Sequence, residues 1–258
     1  MNIVVFDTET TNLEKPFCYN IGYVIYDTEN KVIREKKDFV VEQVWHNDML
    51  FTTAYYSNKR EIYVARMRAR KTIMDKFGYI CQEMIRDFNF YNVKSAYAYN
   101  SPFDVKVFSY NCEWFKCNNP FDNIEIYDIR GYVHKKLAFV KEYQDFCEEN
   151  ELFTESGNYS TTAETVFRFI KQDMDFMEEH TALADSLIEL DILKACVELG
   201  CEYDKKYKTY QSIKRNIDRE LEINLDGCPH IFKYRSRRNS TDGNKIVLKS
   251  CESVVKGE

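Results

Sequence analysis

A chain of 258 residues is long enough for one large domain, or for one domain with an appendage. Its 8 glycines and 4 prolines fall well short of collagen-like, linker or disordered compositions. The 36 basic and 42 acidic residues leave a net charge of −6, which excludes gripping nucleic acid by general attraction alone, so any phosphate chemistry must be local or metal-assisted. Nine scattered cysteines, an odd number, predict reduced thiols and a cytoplasmic location. There is no basic n-region, and no run approaches the roughly 18 apolar residues of a membrane span, so neither export nor a membrane partner is expected. Few Gly and Pro with abundant Tyr, Asn and Lys suit a bacterial or bacteriophage gene of an AT-rich genome.

Ile3 to Phe6 form an apolar run that stops at Asp7-Thr8-Glu9-Thr10-Thr11-Asn12, the pattern of a buried strand entering a polar turn. Tyr19 to Tyr26 and Lys31 to Val41 read as two further strands about the turn Asp27-Thr28-Glu29-Asn30, which makes an antiparallel meander. Ile62, Ala65, Ala69, Ile73, Phe77, Ile80, Met84 and Phe88 recur every three or four residues and predict a helix over roughly 60–90. Lys94 to Tyr99 is a fourth strand, Phe103 to Phe115 a helix and Asn123 to Asp128 a fifth strand, after which helical patterns run to about residue 225. Ile231 to Arg235 and Lys245 to Lys249 flank the turn-rich Asn239 to Asn244 and read as a hairpin. In it the basic Lys233, Arg235 and Arg237 alternate with Phe232 and Tyr234, giving a basic face suited to a nucleic-acid backbone or to a protected edge strand. The fold class is α/β, with a mixed central sheet opened by antiparallel strands and flanked by helices. A boundary near 203 would divide a domain at 1–203, with an insertion at about 44–76, from a 204–258 appendage of helix plus basic hairpin.

Three short segments carry chemistry. Asp7 and Glu9, two residues apart on a strand, share one side of it, and close-set carboxylates suit Mg²⁺, which takes oxygen ligands and completes its shell with water and phosphate oxygens. In Asn100-Ser101-Pro102-Phe103-Asp104 the proline marks a helix start and places Asp104 in the first turn, where an acid can also serve only the helix dipole. His180-Thr181-Ala182-Leu183-Ala184-Asp185 opens another helix, with small residues that leave room for a ligand. Taken singly, each has a bland reading: a solvated strand end, a capping acid, a surface histidine beside Glu178 and Glu179.

In this order the three segments resemble the DEDD family of 3′→5′ exonucleases, in the histidine-bearing branch that includes DnaQ-like proofreading subunits and oligoribonuclease- or RNase T-like enzymes. The resemblance spans roughly residues 1–200 and implies a ribonuclease H-like fold. It implies that Asp7, Glu9, Asp104 and Asp185 hold two Mg²⁺ or Mn²⁺ ions and that His180 is the general base. The implied substrate is the 3′ end of single-stranded DNA or RNA, released as nucleoside 5′-monophosphates, with Thr8, Leu13 and Asn100 as candidate substrate contacts. The chemistry is physically coherent: two metals roughly 3.5–4 Å apart generate hydroxide and stabilise both reacting oxygens, and a histidine of unperturbed pKa about 6.5 can take the proton. Asn12 departs from the glycine usual in the family, a change the turn tolerates if Asn adopts left-handed angles. The stretch from Val44 to Lys76 is longer than compact members need.

Competing readings come from other residues. Asp128 is a rival carboxylate at a strand end, read as structural. Lys59, Arg60, Arg66, Arg68, Arg70 and Lys71 form either a solvated helix face or an overhang that touches phosphates. Cys112 and Cys117, with Cys81 and His134, lack the paired spacing of a zinc site and read as buried thiols. A non-catalytic binding module and an endonuclease on the same fold are the alternative functions.

Overall fold

In the computed structural model the described residues are 1–214 and two later strands, 217–225 and 228–236. The chain opens with β1 (Asn2–Thr10), β2 (Cys18–Asp27) and β3 (Val32–Val41), each antiparallel to the next. Short helices α1 (Glu42–Trp45) and α2 (Asp48–Phe51) precede α3 (Arg60–Arg68), β4 (Ile73–Asp75) and α4 (Phe77–Phe90). Then follow β5 (Val93–Ala98), α5 (Pro102–Phe115), β6 (Glu125–Asp128), α6 (Ile129–Lys135), α7 (Lys141–Glu149), α8 (Ala163–Lys171) and α9 (Ala182–Glu198). The sheet order β4-β3-β2-β1-β5-β6 places β1 inside, parallel to β5, which is parallel to β6. This is the mixed α/β fold expected from the sequence.

Alternation along β1 builds a core on both faces of the sheet. Val4 and Phe6 pack with Phe77 and Ile80 of α4 and Val107 and Phe108 of α5, while Ile3 and Val5 pack with Tyr132 of α6 and Ile188 and Ile192 of α9. A strand covered on both faces reads as an unbroken apolar run, as Ile3 to Phe6 does. Odd-numbered side chains of β1 face α9, so Asp7 and Glu9 share that side and Thr8 turns toward α5.

Gly22 of β2 is paired with Asp7, and the first turn of α9 crosses directly over it. A Cβ at Gly22 would lie 2.1 Å from the Leu183 nitrogen and 2.2 Å from the Ala182 carbonyl carbon. Ser186 donates to the Gly22 carbonyl at 3.1 Å, and the Ala182 N–H donates to Asn20 Oδ1 at 2.7 Å. These contacts set Asp185 against the end of β1. Gly22→Ala is expected to lift α9 from the sheet and to cost about 3 kcal/mol, a fall of roughly 6–12 °C in Tm. A variant melting like wild type would show that the helix docks without this close approach.

Two expectations about the elements are corrected. The helix over 60–90 is interrupted: α3 stops at Arg68, Arg70 takes a φ of +57°, and Ile73–Asp75 pair in parallel with Phe39–Val41. The Thr72 hydroxyl donates to the buried Asp38 and holds that break. Ile73, which continues the helical count, is exposed. The helical pattern also ends early, because α9 stops at Glu198, residues 199–214 contain no helix, and β7 (Ile217–Leu225) pairs antiparallel with β8 (Cys228–Ser236). Ile217, Leu221 and Leu225 fit a helix, but Leu221, Ile223 and Leu225 fit a strand equally well, and pairing with a second strand decides between them. The expected strand Ile231 to Arg235 thus pairs with the segment before it. Its anticipated partner Lys245 to Lys249, the turn Asn239 to Asn244 and Arg237 lie outside the described residues, as do the side chains of Phe232, Lys233, Tyr234 and Arg235. The helix expected in the 204–258 appendage is not found among the described residues. No helix among them is long and apolar enough to cross a membrane.

Candidate active site

Carboxylates from β1, α5 and α9 meet where β1 and β5 end, outside the carboxyl edge of the parallel strands, where α/β sheets offer a crevice. One carboxylate oxygen each from Asp7, Glu9 and Asp185 lies within 4.8 Å of the others. Tyr19 donates to Glu9 Oε2 at 3.5 Å. Asp104, 2% exposed in the first turn of α5, does not join that set; its Oδ1 accepts from Thr8 Oγ1 at 2.7 Å, and its charge and that of Asp7 act on each other. Asp7 therefore stands between the two sides of the cluster. The turn from β5 into α5 is made by Asn100, at φ +61°, whose N–H donates to Asp128 Oδ1 at 2.9 Å.

Burial raises every one of these carboxyl groups, and repulsion by neighbouring carboxylates raises Glu9, Asp104 and Asp185 further. Asp7 is pushed up to about 7, mainly by burial. Asp185 is pushed to about 9 by burial and then by the charges of Asp7 and Glu178. Glu9 and Asp104 move well above the carboxylate range for the same two reasons. Asp185 Oδ1 is buried with no hydrogen-bond partner. A half-buried, oxygen-only donor set short of protein donors fits a hard divalent cation. Glu189, which the sequence reading passed over, lies one turn beyond Asp185 on α9 and is 4% exposed; its Oε2 also lacks a partner. Burial and the charges of Asp7, Asp104 and Asp185 push its carboxyl well up. The spacing of four from Asp185 was the legible signal, since it puts both acids on one helical face.

His180 has a φ of +52° and enters α9 beside the cluster. Its ring stacks on Tyr56 with centroids 4.3 Å apart and an interplanar angle of 15°. Burial and then Lys59 lower its pKa. Of the basic run on and before α3, Lys59 is the residue whose charge reaches the site, pulling down Glu9 and Asp185. Arg60 is held by Asp48 and the Trp45 carbonyl, and Arg66 by Glu179 and Asp38, while Arg68, Arg70 and Lys71 are exposed.

The remaining sequence candidates separate. Thr8 is buried with its hydroxyl committed to Asp104. Leu13 is 73% exposed and so is not core. Asn100 is exposed. Asn12 does not adopt the left-handed angles expected of it; its Oδ1 accepts the Lys15 N–H at 2.8 Å, so a side-chain acceptor closes the turn that glycine would otherwise make. Asp128 caps α6 by accepting from the Arg130 N–H, and also accepts from Thr209. Cys81, Cys112 and Cys117 bring their sulfurs within 4.8 Å of one another, but among the described residues no fourth Cys, His, Asp or Glu ligand atom lies that close to all three. His134 is elsewhere, facing Thr161 and the Tyr210 N–H.

No protein-family model matches the chain, and no curated protein is similar to it in sequence. Solved structures do resemble it. The nuclease domain of 3′hExo, a DEDDh family member bound to rAMP, is 14% identical, with a TM-score of 0.48 over 82% of this chain and 97% of that one. A 3′-exonuclease that recognises the histone mRNA stem-loop is 13% identical, with a TM-score of 0.48 over 90% of each chain. E. coli exonuclease I in complex with a dA16 oligonucleotide is 15% identical, with a TM-score of 0.44 over 75% of this chain and 41% of that one. These are exonucleases of the kind that the sequence motifs resemble.

Proposed function

We propose that this protein is a divalent-metal-dependent 3′→5′ exonuclease that hydrolyses single-stranded DNA or RNA and releases nucleoside 5′-monophosphates. The observation that carries this reading is the convergence of Asp7, Glu9 and Asp185 within 4.8 Å, with Asp104 near enough that the Asp7 charge acts on it. Two Mg²⁺ or Mn²⁺ ions bound there would supply hydroxide and neutralise charge on the attacking and leaving oxygens. Asp7, Glu9 and Asp185 would hold the metal, together with Asp104, whose carboxylate Thr8 orients. His180, with its pKa lowered, is neutral at working pH and takes the proton of the attacking water. Lys59 faces the phosphate whose charge the carboxylates repel. Phe17, Tyr110 and Trp114 line a groove with edge-on ring contacts, and Trp114, 61% exposed, offers a face on which a base can stack.

The decisive experiment is cleavage of 5′-labelled single-stranded DNA and RNA with Mg²⁺, Mn²⁺ or EDTA. A metal-dependent ladder shortening from the 3′ end, with a circular strand left intact, is the expected result. Cutting of the circle would indicate an endonuclease, and tight binding without cleavage a non-catalytic module. Lys59→Ala is expected to raise KM for the oligonucleotide about tenfold, the loss of one charge-assisted contact. An unchanged KM would make Lys59 a structural clamp only.

A further inference from the structure

His180 is held more elaborately than a free-standing general base requires. Left-handed backbone angles cost a non-glycine residue roughly 1–2 kcal/mol, so its neighbours must hold it there. They do so on both sides: Lys59 Nζ donates to the Glu179 carbonyl at 2.6 Å, and Arg66 donates to Glu179 Oε1 at 2.7 Å and Thr181 Oγ1 at 3.0 Å. Both clamps come from the stretch 44–76, on and just before α3.

The ring itself meets two different partners. Tyr56 covers its face and brings its hydroxyl to 3.3 Å from Nε2. On the other edge Glu178 Oε2 lies 3.6 Å from Nδ1, ion-pairing rather than hydrogen-bonding distance, with a side chain 14% exposed. Catalytic hydrogen bonds are commonly long in unliganded sites and tighten when substrate binds. A carboxylate can only accept from Nδ1, whereas a phenol can donate to Nε2, so the two contacts favour the same tautomer.

We propose that Glu178 and Tyr56 are positioning residues for His180: Glu178 holds the proton on Nδ1, and Tyr56 holds the ring so that Nε2 is the nitrogen left basic for the attacking water. The inference rests on the exonuclease reading for its purpose, but not for its test. The Tyr56 hydroxyl lies 3.3 Å from Nε2, on the face that its ring covers. Its position is part of the same site, since the charges of Glu9 and Asp185 act on it. The charged groups around the ring are Lys59 from the turn before α3, Glu178 and Glu179 from its own segment, Glu164 from α8, and Arg66 from α3.

The test reads the ring directly. Burial pushes the Glu178 carboxyl up to about 7, so in ¹⁵N–¹H spectra of the metal-free full chain at about pH 8, where it is ionised, His180 is expected to carry its proton on Nδ1. Glu178→Gln, whose amide can donate to Nδ1, is expected to move the population toward the Nε2–H form. In the same variant kcat is expected to fall at least about tenfold, a share of the 10²–10⁴ that a positioned base contributes, with KM and Mn²⁺ binding unchanged. Glu178→Asp should restore part of the rate. Tyr56→Ala, which removes the stack, should fall like Glu178→Gln, and a Tyr56→Ala kcat at the wild-type value would remove Tyr56 from the positioning. A wild-type tautomer in Glu178→Gln, or an Nε2–H ring in the parent, overturns the proposal. A parent that does not cleave defeats the exonuclease reading alone, because the ring spectra still decide the positioning of His180.

Discussion

Asp7→Asn is expected to lower 3′-end cleavage below roughly a thousandth of wild type, because the metal-borne stabilisation lost is worth several kcal/mol. The same substitution is expected to stabilise the metal-free protein. Asp7 is half-buried beside Glu9, Asp104 and Asp185, and loss of solvent opposes its ionisation before anything else. An amide of the same shape removes that opposition, and each kcal/mol regained raises Tm by about 2–4 °C in a chain of this size. Activity and stability therefore move in opposite directions, the signature of a site whose charge is kept for function. Cleavage at the wild-type rate would remove Asp7 from the cage. A loss of activity with a lower metal-free Tm would assign it a structural role instead.

The second large effect is the linkage between metal, pH and stability. Carboxyl groups whose folded pKa is raised bind more protons in the native state than in the unfolded chain, so stability falls as pH rises through the window between the two values. For this site the window runs from the ordinary carboxylate range up to about 7 for Asp7 and about 9 for Asp185. His134 acts in the opposite sense. It is buried and its pKa is lowered to about 4, so it is neutral in the folded state, and its contribution is lost as pH falls from about 6.5 through 4. The metal-free protein is thus most stable on the acid side of neutrality. In EDTA its Tm should be lower at about pH 8 than at about pH 5.5, and Mg²⁺ or Mn²⁺ should raise Tm much more at the higher pH, where the carboxylates are ionised. Equal metal effects at both pH values, or none, would mean that the cluster does not take the ion.

Legibility in the sequence followed the range of the interaction. Ile3 to Phe6 announced a strand covered on both faces, because a two-residue period and an apolar run are local facts. The spacing of Asp7 and Glu9, Pro102 ahead of Asp104, and Asp185 following His180 were local too, and each stands where its element was expected. Where one pattern suited two conformations, pairing elsewhere decided, as for Ile73–Asp75 against β3 and Ile217–Leu225 against β8. Asn12 kept its turn by a different device, a side-chain acceptor in place of left-handed backbone.

By itself, then, the sequence determined the α/β alternation, the antiparallel opening and the order in which the acidic segments occur. Their meeting was decided by tertiary structure. Asp185 reaches Asp7 because Gly22, 161 positions before Leu183, leaves no Cβ beneath the first turn of α9, and because Asn20 receives the Ala182 N–H across the same gap. Tyr56 reaches His180 across 124 positions, whereas Glu178, the ring's second partner, lies in its own segment. A side chain's local period states which face of its own element it occupies; which other element covers that face depends on close packing and on partners for buried polar groups, and these exist only when the whole chain is folded.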